Sequence, residues 1–307
     1  MSGMHRDRVK RSQKERRHGR FRLAVQLAAA ALLNGYAVGF LKGKIFTGGT
    51  KYICVPVLNC HSCPGALGAC PIGAMQAVAS GGRHHISFYV LGTLMLFGTV
   101  LGRLLCGFIC PFGFFQDLLH KIPLHKIKVP EKLDKVLRWL KYIILAVFVI
   151  LLPAVALNDF GTGESWFCKY ICPAGTLESG FPLVLMNEQI RELVGALFSW
   201  KTGVLVFIVL GSVFIHRFFC RYFCPLGAFY SLFSKFSLYR MNVDSSKCVG
   251  CGKCGNTCPM AVDVTKNINS AECIRCGKCK AVCPTGAITS GFETGGEENK
   301  ENVHTDR

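Results

Sequence analysis

Apolar residues in this chain run on in long uninterrupted stretches instead of recurring on one face. Leu23 to Leu41, Ile86 to Gly102 and Tyr142 to Asn158 are free of charge for 19, 17 and 17 positions, and Thr202 to His216 for 15. A helix needs about 20 mostly apolar residues to cross the hydrocarbon core. Four spans are therefore predicted, the last continuing to about Phe223 with Arg217 and Arg221 snorkelling to the interface. One such run reads equally well as a buried soluble helix; four in one chain read as a membrane domain. Pro153 is expected to kink the third span. Leu177 to Trp200 is interrupted by Glu188, Arg191 and Glu192 and carries Leu193, Leu197 and Trp200 at helical spacing. This pattern predicts an interfacial helix and not a fifth span.

Charge adds an orientation. Of 307 residues, 50% are hydrophobic and only 18% charged, yet the formal net charge is +18. Lys and Arg number nine in residues 1–22, eight from Arg103 to Lys141 and twelve in 217–307, against four in 42–85 and three in 159–201. Positive loops stay inside, so the expectation is a multi-pass protein of the inner cell membrane with both termini cytoplasmic. That asymmetry accounts for the basic surplus without nucleic-acid binding. Arg16-Arg17 resembles a twin-arginine signal, but the apolar segment behind it is long, with no obvious small-x-small cleavage site before Lys42, so an uncleaved first span is expected. The chain divides into a basic segment (1–22), a membrane domain (23–239), a cysteine-rich domain (240–291) and a polar tail (292–307).

The 18 cysteines carry the candidate chemistry. Cys248, Cys251, Cys254 and Cys258-Pro259, then Cys273, Cys276, Cys279 and Cys283-Pro284, each spell C-x2-C-x2-C-x3-C-P, the bacterial ferredoxin run. Three thiolates of a run hold one cubane and the fourth reaches the other. One [4Fe–4S] cluster is thus expected on Cys248, Cys251, Cys254 and Cys283, and a second on Cys273, Cys276, Cys279 and Cys258. Zinc also uses C-x2-C pairs, but the doubled pattern favours iron. This domain is expected to be an α+β two-[4Fe–4S] ferredoxin.

The remaining cysteines follow an internal duplication. Residues 103–115 recur as 217–229 at an offset of 114, with six of thirteen positions identical. The copies place Cys106 and Cys110, and Cys220 and Cys224, one helical turn apart. Together they offer four thiolates for an inner, membrane-edge cluster, the alternative being buried small hydrophobes. Arg103 and Arg217, one turn earlier, either offset cluster charge or snorkel. An outer site is expected from Cys168 and Cys172 with two of Cys60, Cys63 and Cys70, a disulfide being the alternative on an oxidising face. Cys54 is read as structural or spare. One or two further iron–sulfur clusters are thus expected in the membrane domain.

No C-x-x-C-H occurs, and His61, His84, His85, His120, His125 and His216 fall in loops or at span ends, so covalent or b-type haem is not indicated. Nor is a nucleotide-binding motif present.

Four spans, Cys60-x2-Cys63-Pro, Cys70-Pro-x-Gly, the C-x3-C-P copies and the double ferredoxin run together resemble the NapH-type polyferredoxins over about residues 20–291. The same core occurs in nitrous-oxide-reductase regulators and a cytochrome-oxidase assembly protein. The resemblance implies a quinol-dehydrogenase-like subunit that passes electrons through iron–sulfur clusters between membrane quinone and a redox partner. With seven Lys and Arg against three Asp and Glu in 240–291, an acidic flavodoxin or ferredoxin is an expected partner, or else an oxidoreductase subunit. The rival readings are a metal-handling assembly factor and a thiol redox sensor.

Overall fold

The computed structural model describes residues 2–80, 88–127, 129–156, 158, 163–192 and 194–292, with side chains from residue 13 onward. His84, His85, Leu193 and the polar tail beyond Phe292 lie outside these residues. Most of the described chain is helical. Glu131–Val155 and Ala196–Phe214 are long and apolar enough to cross a membrane, with mean hydropathies of 2.1 and 1.8. Phe88–Val100 is equally apolar but shorter. Pro153 sits inside the first of these without ending it. The turn before it, Leu145–Leu151, widens to a π-helix, and the Leu152 N–H reaches back to the Val147 carbonyl. Such a turn lets the ladder skip the donor proline lacks.

Three predicted boundaries need correction. Leu23 to Leu41 is not one helix: Ser2–Leu33 ends there, the chain reverses over Asn34 to Tyr36, and Ala37–Lys42 follows. The Leu33 carbonyl accepts from Leu67 N and the Tyr36 N–H donates to Gly65 O, so a neighbouring loop takes over the helix end. Leu177 to Trp200 is not one interfacial helix either. Thr176–Gly180 runs on into Phe181–Met186, the helix breaks at the extended backbone of Asn187, and Glu188–Glu192 follows. Leu197 and Trp200 belong to Ala196–Phe214, which starts at the extended backbone of Gly195. That fourth helix stops at Phe214, not near Phe223. Arg217 takes a left-handed φ of 53° and opens a separate turn, Phe218–Tyr222.

A single hydrophobic core, including Leu94, Leu105, Phe112, Val149, Phe167 and Phe219, also takes in Cys70, Cys110, Cys172 and Cys224. The cysteines are therefore inside the helical bundle and not on its rim. The C-terminal lobe closes with one antiparallel pair, β1 (Tyr239–Val243) against β2 (Ile288–Phe292), in register from Tyr239↔Phe292 to Val243↔Ile288. It has its own core of Met241, Val264, Ile268, Cys279 and Ile288.

Candidate iron–sulfur centres

The bundle's cysteines are set by one local device used four times: Cys-Pro-x-Gly at Cys70, Cys110, Cys172 and Cys224. Proline occupies the first helical position, where a missing N–H costs nothing, and the preceding cysteine is the N-cap. Its sulfur accepts the N–H of the glycine three residues on, at 3.4 Å from Gly113, 3.4 Å from Gly175 and 3.3 Å from Gly227. Gly73 stands at the same position after Cys70. The glycines make room as well. A Cβ on Gly175 would lie 3.7 Å from Cys60 Sγ, and one on Gly113 or Gly227 would crowd a guanidinium at 3.3 Å.

These corners assemble two quartets. Cys106, Cys110, Cys220 and Cys224 line one cavity with Val57, Leu58 and Arg103, and each thiol lies within electrostatic reach of the other three. Cys60, Cys70, Cys168 and Cys172 are coupled in the same complete way. Of the five outer candidates Cys63 is the one left aside. It is buried, with its thiol 3.6 Å from Asn34 Oδ1. Among the described residues no three His, Cys, Asp or Glu side chains converge tightly enough for a single metal ion; thiols spread around a void suit a cluster with iron at several corners.

The two quartets are near neighbours. Leu58 lines the inner cavity, its carbonyl 3.9 Å from Cys110 Sγ, and Cys60 belongs to the outer quartet two residues later. The segment 54–60 thus dips between the helices, and Tyr230 pins it through a 2.8 Å bond to Pro56 O.

Arg103 and Arg217 do not snorkel; both are fully buried. Each crosses to the other copy. Arg103 Nη2 is 3.5 Å from Cys220 O and Arg217 Nη1 is 2.5 Å from Cys106 O. Arg217 also forks onto Asp117 at 2.9 and 2.7 Å, and Arg103 meets Glu272 at 3.0 Å. A guanidinium suits this work because its donors form a rigid fork.

Two cavities in the C-terminal lobe follow the crossed pattern of the double run. Cys248, Cys251, Cys254 and Cys283 line the first. Cys258, Cys273, Cys276 and Cys279 line the second. The first is exposed, with Val249, Cys248 and Cys251 at the surface. Burial raises Cys273 to about 11 and Cys279 to about 12, so only a bound cation would hold them as thiolates. At Cys283 burial also pushes upward, but bonds from Thr285, Ala287 and Ile288 outweigh it and leave the thiol below its ordinary value.

The second cavity faces the bundle. Met260, Val262, Ile274 and Cys276 form one packed cluster that includes Cys106. Gly107 has no room for a side chain, since a Cβ would stand 2.5 Å from Ile274 O. Arg275, 2% exposed, is inserted into the bundle with bonds to Leu101 O and Ser234 O at 2.9 and 2.7 Å. Glu272 accepts from Arg103 and from fully buried Lys141 at 2.6 Å. Two of the ten charges in that count, Arg275 and Glu272, one of each sign, are therefore engaged inside the molecule.

Sequence reasoning passed over four residues that complete the quartets: Gln76, Gln116, Glu178 and Tyr230. Each stands six positions after a corner cysteine, a spacing that was available to read. His120 and His216, both read as loop or span-end residues, lie with ring centroids 4.5 Å apart and tilted by 58° beside a cavity between the N-terminal helix and the C-terminal lobe.

Comparison with known proteins agrees with this layout. A sequence family described as a 4Fe–4S binding domain matches residues 68–89, 84–130, 141–179 and 192–243, and each match contains one Cys-Pro-x-Gly corner. A 4Fe–4S dicluster domain matches 240–284. The chain is 33% identical over 173 residues to an uncharacterized protein of Methanocaldococcus jannaschii, covering 54% of this chain and 55% of that one. It is 27% identical over 190 residues to the putative electron transport protein YccM of Escherichia coli (60% and 48%). To the methylamine utilization ferredoxin-type protein MauN of Paracoccus denitrificans it is 32% identical over 161 residues (52% and 48%). The matches span about half the length of these relatives. No solved structure matches the chain.

Proposed function

Taking as its premise that this chain belongs to the polyferredoxin family and is an iron–sulfur electron-transport protein, we propose a four-centre relay. Its order is exposed ferredoxin site, buried ferredoxin site, inner quartet, outer quartet. The observation that carries this reading is the packing of Cys106 in one cluster with Cys258, Cys273 and Cys276, which sets the inner quartet against the second ferredoxin cavity. The donor set fits the group: four thiols per site, with N–H groups aimed at the sulfurs. When bound, each cluster supplies one-electron chemistry. The residues fix spacing, exclude water and tune potential.

In this reading the chain is a four-span inner-membrane protein with cytoplasmic termini, and its halves are related by the duplication. The exposed rim of the first ferredoxin cavity, with Lys247 and Lys253 beside Cys248 and Cys251, receives an acidic redox partner. A membrane quinone exchanges electrons at the cavity between helix Ser2–Leu33 and helix Lys278–Val282. Leu23, Phe114 and Leu118 give that cavity apolar walls, and His18, His216 and Lys278 its polar side. His18 Nε2 lies 2.8 Å from the Cys276 carbonyl, and the Nδ1 atoms of His120 and His216 have no partner among the described residues. In this reading they take the protons a quinol releases as it gives up two electrons.

Iron and labile sulfide analysis with EPR on the anaerobically purified chain tests the relay. Four clusters correspond to about sixteen irons. A fully loaded preparation with about eight would remove both quartets from the scheme and leave a tethered ferredoxin.

A further inference from the structure

The two glutamines six positions after Cys70 and Cys110 make the same contacts in the two quartets. Gln76 Nε2 lies 3.2 Å from Cys168 Sγ, and Gln116 Nε2 lies 3.0 Å from Cys220 Sγ. In each, Oε1 accepts the backbone N–H of the residue just before that cysteine, Phe167 at 2.9 Å and Phe219 at 3.0 Å. The remaining Nε2 hydrogen goes to the carbonyl one turn back, Ile72 at 3.2 Å and Phe112 at 3.4 Å. Both side chains are fully buried.

These partners leave each carboxamide a single orientation. A backbone N–H can only meet the oxygen, so the nitrogen must face the sulfur. The contacts bridge 92 and 104 residues of sequence, so the pairing is a tertiary feature and not a local turn. The corner motif alone does not require it: Cys172 and Cys224 have Glu178 and Tyr230 at the equivalent position, and these bond to Cys60 N and Pro56 O.

We propose that Gln76 and Gln116 are paired positioning residues, one for each quartet, that hold Cys168 and Cys220 and raise the reduction potential of the cluster bound there. The inference rests on the relay reading. Its physical basis is that an N–H aimed at a ligand sulfur stabilises the more negative, reduced form. Inside a low-dielectric core that bond is stronger than in water.

The test is an EPR-monitored redox titration of the full-length protein carrying Gln116→Glu or Gln116→Met, and the same pair at Gln76. Gln116→Glu keeps the acceptor for Phe219 N–H and removes the donor to Cys220. The expected result is a midpoint lowered by a tenfold change in the reduced-to-oxidised ratio, which is 59 mV for a one-electron couple. The shift should be confined to the altered quartet, with the ferredoxin couples unmoved. If Gln116→Glu keeps the inner iron at a lowered midpoint while Gln116→Met, which adds no charge, loses the iron or shows the same lowering, the proposal stands; a lowering confined to Gln116→Glu, with Gln116→Met iron-replete and unmoved, is the carboxylate's own charge and overturns it. An unchanged midpoint in iron-replete Gln116→Glu overturns it, because a purely structural glutamine is rescued by that variant. Wild-type protein lacking any signal beyond the two ferredoxin clusters would instead sink the relay, a separate outcome visible before any variant is made.

Discussion

The inner and outer quartets share a frame and differ in their surroundings. Each has two Cys-Pro-x-Gly corners and one glutamine on a sulfur. Around the inner one, Arg103 and Arg217 bond to the carbonyls of Cys220 and Cys106. The outer one meets a carboxyl instead: Glu178, pushed up to about 7 by burial, accepts the Cys60 N–H at 2.7 Å. A duplicated scaffold thus fixes where the thiols go, while residues free to diverge set the charge each cluster would feel. The inner quartet is expected to have the higher potential.

The largest effect that bears on this contrast is loss of a whole centre. Cys224→Ala and Cys172→Ala should each remove about four irons, from the inner and outer sites respectively. Cys63→Ala should remove none, and iron analysis decides. Next is the arginine clamp. Arg103→Met deletes a buried partner of Glu272, a class of change that costs about 3–5 kcal/mol. A value at the low end is expected because Lys141 stays beside Glu272, and thermal unfolding reads it. Glu178→Gln is gentler. Removing negative charge beside Cys60 should raise only the outer midpoint, by about 60 mV if the carboxyl contributes roughly 1.4 kcal/mol, and so narrow the gap between quartets.

The smallest test concerns the ferredoxin lobe without iron. Cys283 lies below its ordinary pKa and Cys279 near 12, raised by burial. A higher pKa means less thiolate at a given pH. At pH 8 iodoacetamide should therefore modify Cys283 before Cys279, and raising the pH should speed Cys279 more than Cys283. Mass mapping of the labelled sites checks the order.

Much of this was legible in the sequence. Cysteine spacing carries face and partner information directly, so the crossed ferredoxin sets and the inner quartet followed from counting. Span limits were harder to read, because charge-free length does not reveal where a loop captures a helix end, as Gly65 and Leu67 do near Leu33. Choosing between Cys60 and Cys63 needed the tertiary fold, which groups Cys60 with Cys70, Cys168 and Cys172 and sets the Cys63 thiol beside Asn34. The glutamines were hidden because a polar residue in an apolar run does not show which distant sulfur it meets. The choice between the two readings of Arg103 and Arg217 stayed open because sequence did not show Asp117 and Glu272 waiting for them.

Arg275 fits between Leu101 and Ser234 like a bolt through a flange. In the proposed relay a lobe so fastened would not swing on a hinge to deliver charge, and throughput would not be limited by a diffusing arm. It would depend instead on fixed gaps, and viscosity of the medium should leave the internal steps untouched.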